Sequence, residues 1–248
     1  QRPLSITFDD GYADNHDVAM PILARHGFAA TFFVASGFLN GGRMWNDTVI
    51  ESLRRTTLPT LDLQEVCGMD FGVHGLASVA ARRRAIDRVI AGIKYMEPLR
   101  RQAVVDVVAS RAGADLPSDL MMTSDQVRAL RRSGMQIGAH TVSHPILARL
   151  DRSAARQEIE TGKAALEALL GERVGLFAYP NGKPVEDYND ESVNVVRDLG
   201  FDAAVSTAWG AANSETDAYQ IPRFTPWDAT RLRFGARLAK NLWAAGRA

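Results

Sequence analysis

A unit of apolar run, polar loop, amphipathic stretch and glycine recurs along most of this chain, and few folds accommodate that order. Runs rich in β-branched, aromatic and small apolar residues at Leu4–Phe8, Ala30–Ala35, Met135–Ala139, Gly175–Tyr179, Ala203–Thr207 and Gln220–Phe224 read as strands. Stretches with helical spacing lie among them at Asn15–Arg25, Ser124–Arg132, Ser153–Leu170 and Glu191–Leu199, with Ser124 read as an N-cap. Each stops at or just short of a glycine, Gly27, Gly134, Gly171 or Gly200, the residue that takes the left-handed conformation past a helix end at least cost. Alternation of this kind predicts a parallel sheet wrapped by helices, an α/β fold whose chemistry collects on the loops at the carboxyl ends of the strands.

The rhythm breaks between about Gly37 and Asp119. There Trp45–Arg55, Ala80–Tyr95 and Leu99–Arg111 read as helices, the last two separated at Glu97 by the restriction that Pro98 imposes on its predecessor. The 248 residues are read as a single barrel-like domain, 1–248, with a helical insertion at about 40–118. Twenty-nine basic residues balance 29 acidic ones, so no net field attracts nucleic acid or anionic lipid. The sole cysteine, Cys67, excludes an internal disulfide and is read as buried or incidental. The longest mostly apolar stretch, Phe28–Leu39, is too short to span a bilayer. Gln1 stands directly before the first apolar run, so the chain reads as trimmed, and compartment and oligomeric state are left open.

Two of the predicted strands end in groups that bind metals. The first runs into Thr7-Phe8-Asp9-Asp10-Gly11; a later one runs into His140-Thr141-Val142-Ser143-His144. An aspartate plus two histidines, with coordination positions left open, suits Zn²⁺ or another divalent first-row metal that activates water. Adjacent Asp9 and Asp10 point to opposite sides of a regular strand, so both serve one centre only if the chain bends, which Gly11 permits. Four residues of separation place His140 and His144 on one side of a helical turn, while Pro145 disfavours a helix through His144. Thr141 or Ser143 is expected to hold the imidazole nitrogen that does not face the metal. Tyr179-Pro180-Asn181-Gly182, Trp209 and Arg223 follow or end further strands, so several polar and aromatic groups are delivered to one rim.

With Tyr179-Pro180-Asn181-Gly182, the two motifs occur in the order and at about the separations that make the chain resemble polysaccharide deacetylases of the NodB-homology, carbohydrate esterase family 4 type. The likeness covers most of the chain. It implies a deformed (β/α) barrel, TIM-like, that removes N- or O-acetyl groups from a bacterial polysaccharide by attack of metal-activated water. By that resemblance Asp9 is the general base and Asp10, His140 and His144 bind the metal, most simply zinc, with cobalt or nickel as alternatives. The backbone N–H near Asn181 is the expected oxyanion donor, beside Tyr179, Pro180 and Gly182. Two features depart from the usual pattern: Phe177-Ala178 stands where many members have an arginine, and no histidine follows His144. The Phe-Ala-Tyr-Pro form resembles the exopolysaccharide and poly-N-acetylglucosamine deacetylase branch, in which an acid histidine can lie upstream of the first strand.

Arg223 is the best substitute for the missing arginine and is expected to pair with Asp9. Trp45, Trp209 and Trp227 offer flat faces for sugar rings, with core packing as the competing reading. His74 is read as a surface histidine. The expected partner is an acetylated glycan. Two other functions stay open: a metal-dependent amidohydrolase of a small N-acyl or cyclic imide compound, and a degenerate glycan-binding protein that keeps the metal triad without an acid.

Overall fold

The structure, a computed structural model, describes residues 4–225 and 227–244. Its elements in chain order are β1 (Ile6–Phe8), a π-helical turn (Asn15–Ala19) leading into α1 (Met20–Arg25), β2 (Ala30–Val34), α2 (Trp45–Arg55), β3 (Thr60–Asp62), β4 (Val73–Gly75), α3 (Val79–Ile93), α4 (Pro98–Ala112), α5 (Ser124–Arg132), β5 (Gln136–Ala139), α6 (Arg152–Leu170), β6 (Leu176–Ala178), α7 (Asp190–Asp198), β7 (Ala203–Val205) and α8 (Arg231–Ala244). The chain divides into two compact units, one formed by the segments flanking residues 41–121 and the other by Gly41–Met121.

In the first unit β1-β2-β5-β6-β7 form one five-stranded parallel sheet in that order. Register runs Ile6 to Ala30, Phe32 to Ile137, Ala139 to Phe177 and Phe177 to Ala204. This is the deformed, incompletely closed barrel expected. Alternate residues Phe32, Val34, Ile137, Ala139, Phe177 and Ala204 pack on Leu130, Ile159, Leu166 and Val196 of the helices. On the opposite face of the sheet Phe33 lies across Gly138, where a Cβ would fall 2.4 Å from its ring, so only glycine fits there.

Local chemistry sets the helix ends. Thr123, rather than Ser124, is the N-cap of α5, in a capping box with Gln126. Asp151 and Asn189 cap α6 and α7, and Gly171 closes α6 at φ 69°. The predicted strand at Gln220–Phe224 is reduced to a bridge between Ile221 and Val205, because Pro222 has no N–H to extend a ladder. Helix α8 was not anticipated.

The second unit buries Val49, Leu53, Val89, Ile93, Val104 and Val108 among α2, α3 and α4. Glu97 caps α4 by accepting from the N–H groups of Leu99 and Arg100, with Pro98 as its first residue. An antiparallel pair, β3 with β4, also belongs to this unit and escaped the sequence reading, its strands being three residues each. Its His74 holds the Phe71 carbonyl through Nε2 at 2.9 Å. Cys67 is exposed rather than buried. Among the described residues no helix is long and apolar enough to cross a membrane.

Phe177, fully buried between the rings of Tyr179 and Phe201, has little freedom to be replaced by collapse. Phe177→Ala is expected to cost about 3–5 kcal/mol, read as a lowered denaturant midpoint, whereas exposed Val79→Ala should change stability by no more than about 0.5 kcal/mol.

Candidate functional site

The carboxyl ends of β1, β5 and β6 meet at a cluster of charged groups. Beyond β1 the chain bends at Asp10, whose φ of 77° lies in the left-handed region, and the Gly11 N–H donates back to the Asp9 carbonyl at 3.0 Å. Such a conformation costs a non-glycine residue about 1–3 kcal/mol and persists only where surroundings enforce it. Here the Ala35 N–H holds the Asp10 carbonyl at 3.2 Å. The bend turns the two neighbouring carboxylates toward different partners.

Asp10 faces the histidines. Its Oδ1 lies 3.3 Å from His140 Nε2 and 3.2 Å from His144 Nε2. His140 is buried, and its Nδ1 stands 2.7 Å from the Ala178 carbonyl, which can only accept. The neutral ring therefore carries hydrogen on Nδ1 and turns the Nε2 lone pair toward Asp10. A lone pair facing an ionised carboxylate needs a proton or a cation between them. One ligand atom from each of these residues lies within 4.8 Å of the others, a donor set that fits a divalent first-row cation with coordination positions to spare.

The loop that carries the histidines is not helical. Thr141 and His144 have φ of 65° and 53°, so each adopts a strained left-handed conformation. Neither hydroxyl of the loop reaches an imidazole, contrary to the sequence expectation. Thr141 Oγ1 donates to the His140 carbonyl and accepts from the His144 N–H, and Ser143 Oγ donates to Glu158. The partner of the His140 ring is instead the backbone of the neighbouring strand, which side-chain patterns cannot reveal.

Asp9 faces Arg223. Two guanidinium nitrogens donate to its two oxygens at 2.7 and 2.6 Å, the pairing expected from sequence. The same guanidinium donates to Thr7 Oγ1 and to the Ser206 carbonyl and lies 5.8 Å from the centre of the Phe33 ring.

The third motif repeats the device of the first. Asn181 has φ 58°, and the Gly182 N–H donates to the Pro180 carbonyl at 2.7 Å. Thr207 clamps the turn, its Oγ1 and N–H donating to the carbonyls of Asn181 and Gly182. Among the described residues no acceptor holds the Asn181 N–H. Tyr179 and Pro180 are buried; the Tyr179 ring stacks on Tyr188 and its hydroxyl donates to the Tyr219 carbonyl. Its side chain is therefore a core group. Trp209 is 53% exposed and braced by Phe224 and Arg237. Trp227 is exposed as well. Trp45 belongs to the second unit, where its ring lies against that core and under Arg101.

Charge coupling is strong. Burial favours a neutral His140, but the Asp10 hydrogen bond, the charges of Asp9 and Asp10 and the Ala178 carbonyl outweigh it and raise the ring's pKa. Burial likewise opposes ionisation of Asp10, yet His140 and His144 hold its carboxyl well below the usual carboxylate range. In metal-free protein the raised histidine contributes stability that is complete below its unfolded pKa of about 6.5 and is lost as pH rises through the folded value. The depressed carboxylate acts in the opposite sense, contributing above its unfolded pKa and failing only in acid. The melting temperature of chelator-treated protein is therefore expected to fall as pH rises from about 6 to 9, and excess Zn²⁺ to flatten the fall. A flat profile without metal would contradict this account.

Comparisons with known proteins agree with this architecture. The Streptococcus pyogenes deacetylase PplD, solved in complex with acetate, aligns with a TM-score of 0.57 at 19% identity, covering 94% of this chain and 68% of its own. IcaB from Ammonifex degensii aligns at 0.54 and 18%, covering 97% and 72%. At such identities the likeness speaks for the fold. The Bacillus subtilis (strain 168) protein YxkH is 19% identical over 223 residues, 90% of this chain and 51% of YxkH, so the chain spans about half the length of that curated relative. The family model for polysaccharide deacetylase matches residues 1–204, and on that match the chain belongs to the polysaccharide deacetylase family.

Proposed function

We propose that this chain is a metal-dependent hydrolase that removes acetyl groups, N-acetyl foremost, from a bacterial polysaccharide or oligosaccharide. The observation that carries the reading is the division of labour between neighbouring carboxylates: Asp10 turned to two imidazoles, Asp9 turned to a guanidinium. Asp10, His140 and His144 would hold a divalent metal, Zn²⁺ by the chemistry of the donors, with Co²⁺ or Ni²⁺ as substitutes. When bound, such an ion supplies Lewis acidity toward the acetyl carbonyl and lowers the pKa of water.

The chain's own groups supply the rest. Asp9 is the general base, and the two-pronged hold of Arg223 fixes the direction of its oxygens before the proton arrives. The Asn181 N–H, on a turn that Thr207 clamps, would donate to the oxyanion that the acetyl carbonyl oxygen becomes as its carbon turns tetrahedral. The proton taken by Asp9 is then available to the leaving amine. Trp209, half exposed and held edge-on by Phe224, is the platform on which a sugar ring would stack, which favours a glycan over a small N-acyl compound.

The test is acetate release from acetylated glucosamine oligomers, acetylated xylan and small N-acyl compounds, each with and without Zn²⁺, Co²⁺ or Ni²⁺. Wild type should release acetate from a glycan only when supplied with metal, and Asp10→Ala should release none. Asp9→Asn should lower kcat by about 10²–10⁴-fold with little change in KM. Arg223→Lys keeps the charge but loses the fork, and should lower kcat more than it raises KM. Absence of metal-dependent acetate from every glycan would defeat the proposal, and activity on small N-acyl compounds alone would move the substrate class to them.

A further inference from the structure

We infer that Glu158, in the middle of α6, is a positioning residue for the two histidines, acting through the backbone between them. The inference rests on the proposed role of His140 and His144 as metal ligands. Glu158 Oε2 accepts the N–H groups of Val142 at 3.0 Å and Ser143 at 2.9 Å, and Oε1 accepts the Ser143 hydroxyl at 2.7 Å. Successive N–H groups that follow a left-handed residue, here Thr141, form a small concavity that binds an anion, and the carboxylate of Glu158 fills it.

The contact is part of a seat built on both sides of the loop. One turn beyond Glu158 on the same helix face is Gly162, where a Cβ would stand 2.7 Å from the Thr141 carbonyl carbon. On the other side the N–H groups of Ser36 and Gly37 hold the carbonyls of Thr141 and Val142 at 3.1 and 3.0 Å, and a Cβ on Gly37 would lie 2.8 Å from Val142. The segment between the two histidines is thus gripped by α6 and by the chain after β2. Its strained torsions at Thr141 and His144 need such a grip. Of the contacts from α6, Glu158 supplies the charge-assisted hydrogen bonds. Without it the two N–H groups turn to water, the left-handed turn relaxes, and His144 Nε2 leaves its position beside Asp10. An exposed-looking glutamate on a helix is otherwise unremarked in the sequence.

Three readouts on the purified chain test this: Zn²⁺ affinity by competition with a chromophoric chelator, the visible spectrum of the Co²⁺ form, and hydrogen exchange of the Val142 and Ser143 amides without metal. Glu158→Ala should weaken Zn²⁺ binding by about 10–100-fold, alter the Co²⁺ bands and speed exchange at both amides. Glu158→Gln can accept the same two N–H groups with its amide oxygen and donate to Ser143 Oγ but lacks the charge, so it should bind Zn²⁺ more tightly than Glu158→Ala and less tightly than wild type. Should the alanine variant fold poorly, Glu158→Asp, one methylene short of the loop, is read in its place: weakened binding supports the inference and unchanged binding overturns it. Glu158→Ala with wild-type affinity, or Glu158→Gln as weak as Glu158→Ala, also overturns it. If wild type takes up neither metal, the metal reading of the site fails on its own, and the exchange data decide the clamp: faster amides in Glu158→Ala support it and unchanged amides refute it.

Discussion

The guanidinium of Arg223 ties together the two edges of an open sheet. It binds Thr7 and Asp9 at β1 and the carbonyl of Ser206 just after β7, the strands that lie at opposite ends of the five. A parallel sheet of five strands does not close on itself by hydrogen bonding, so a side chain spans the gap. That link holds Asp9 at β1, next in the chain to Asp10 and its two histidines. It also separates the partners of Asp9 and Asp10, because a carboxylate held on both oxygens by a guanidinium is not free to join its neighbour beside the histidines.

Four of the eight non-glycine residues with positive φ among the described residues lie at the same rim. Asp10, Thr141, His144 and Asn181 all have positive φ, at about 1–3 kcal/mol each for residues with a side chain. Each is held by neighbours that form regular structure or sit against it: Ala35 after β2, Glu158 on α6, Thr207 after β7. The core carries the cost. Phe32, Phe177 and Val196 are fully buried, and their packing makes the strand ends rigid enough to impose the torsions that turn Asp10 and the two imidazoles toward one another. Precision at the site thus comes from the stability of layers beneath it.

Much of this was legible along the chain. The helix ends at Gly171 and Gly200 and the break at Glu97 followed from local chemistry that tertiary contacts do not override. The apolar runs of the central strands β2, β5 and β6 were readable because most of their residues are buried, and sustained burial leaves a sustained apolar signal. The short pair β3 and β4 left too few residues for a period to show, and Pro222 cut the last predicted strand to one bridge. The site divided along the same line. Asp10, His140 and His144 announced themselves by residue type and by their place after strands, while Tyr179, which looked like a rim group, is a core residue whose hydroxyl is satisfied inside. Glu158 and the Ala178 carbonyl gave no signal, being an ordinary helix-face acid and a backbone atom.

What the sequence by itself determined was the class of fold and the inventory of chemistry, since periodicity and capping act over a few residues and ligand types are intrinsic to side chains. Only the tertiary structure decided the pairings. Arg223 meets Asp9 across 214 positions, His140 meets Ala178 across 38, and Glu158 reaches the loop 15 and 16 residues before it. None of those separations has a period, because each is set by how strands are ordered in the sheet and how helices lie on it.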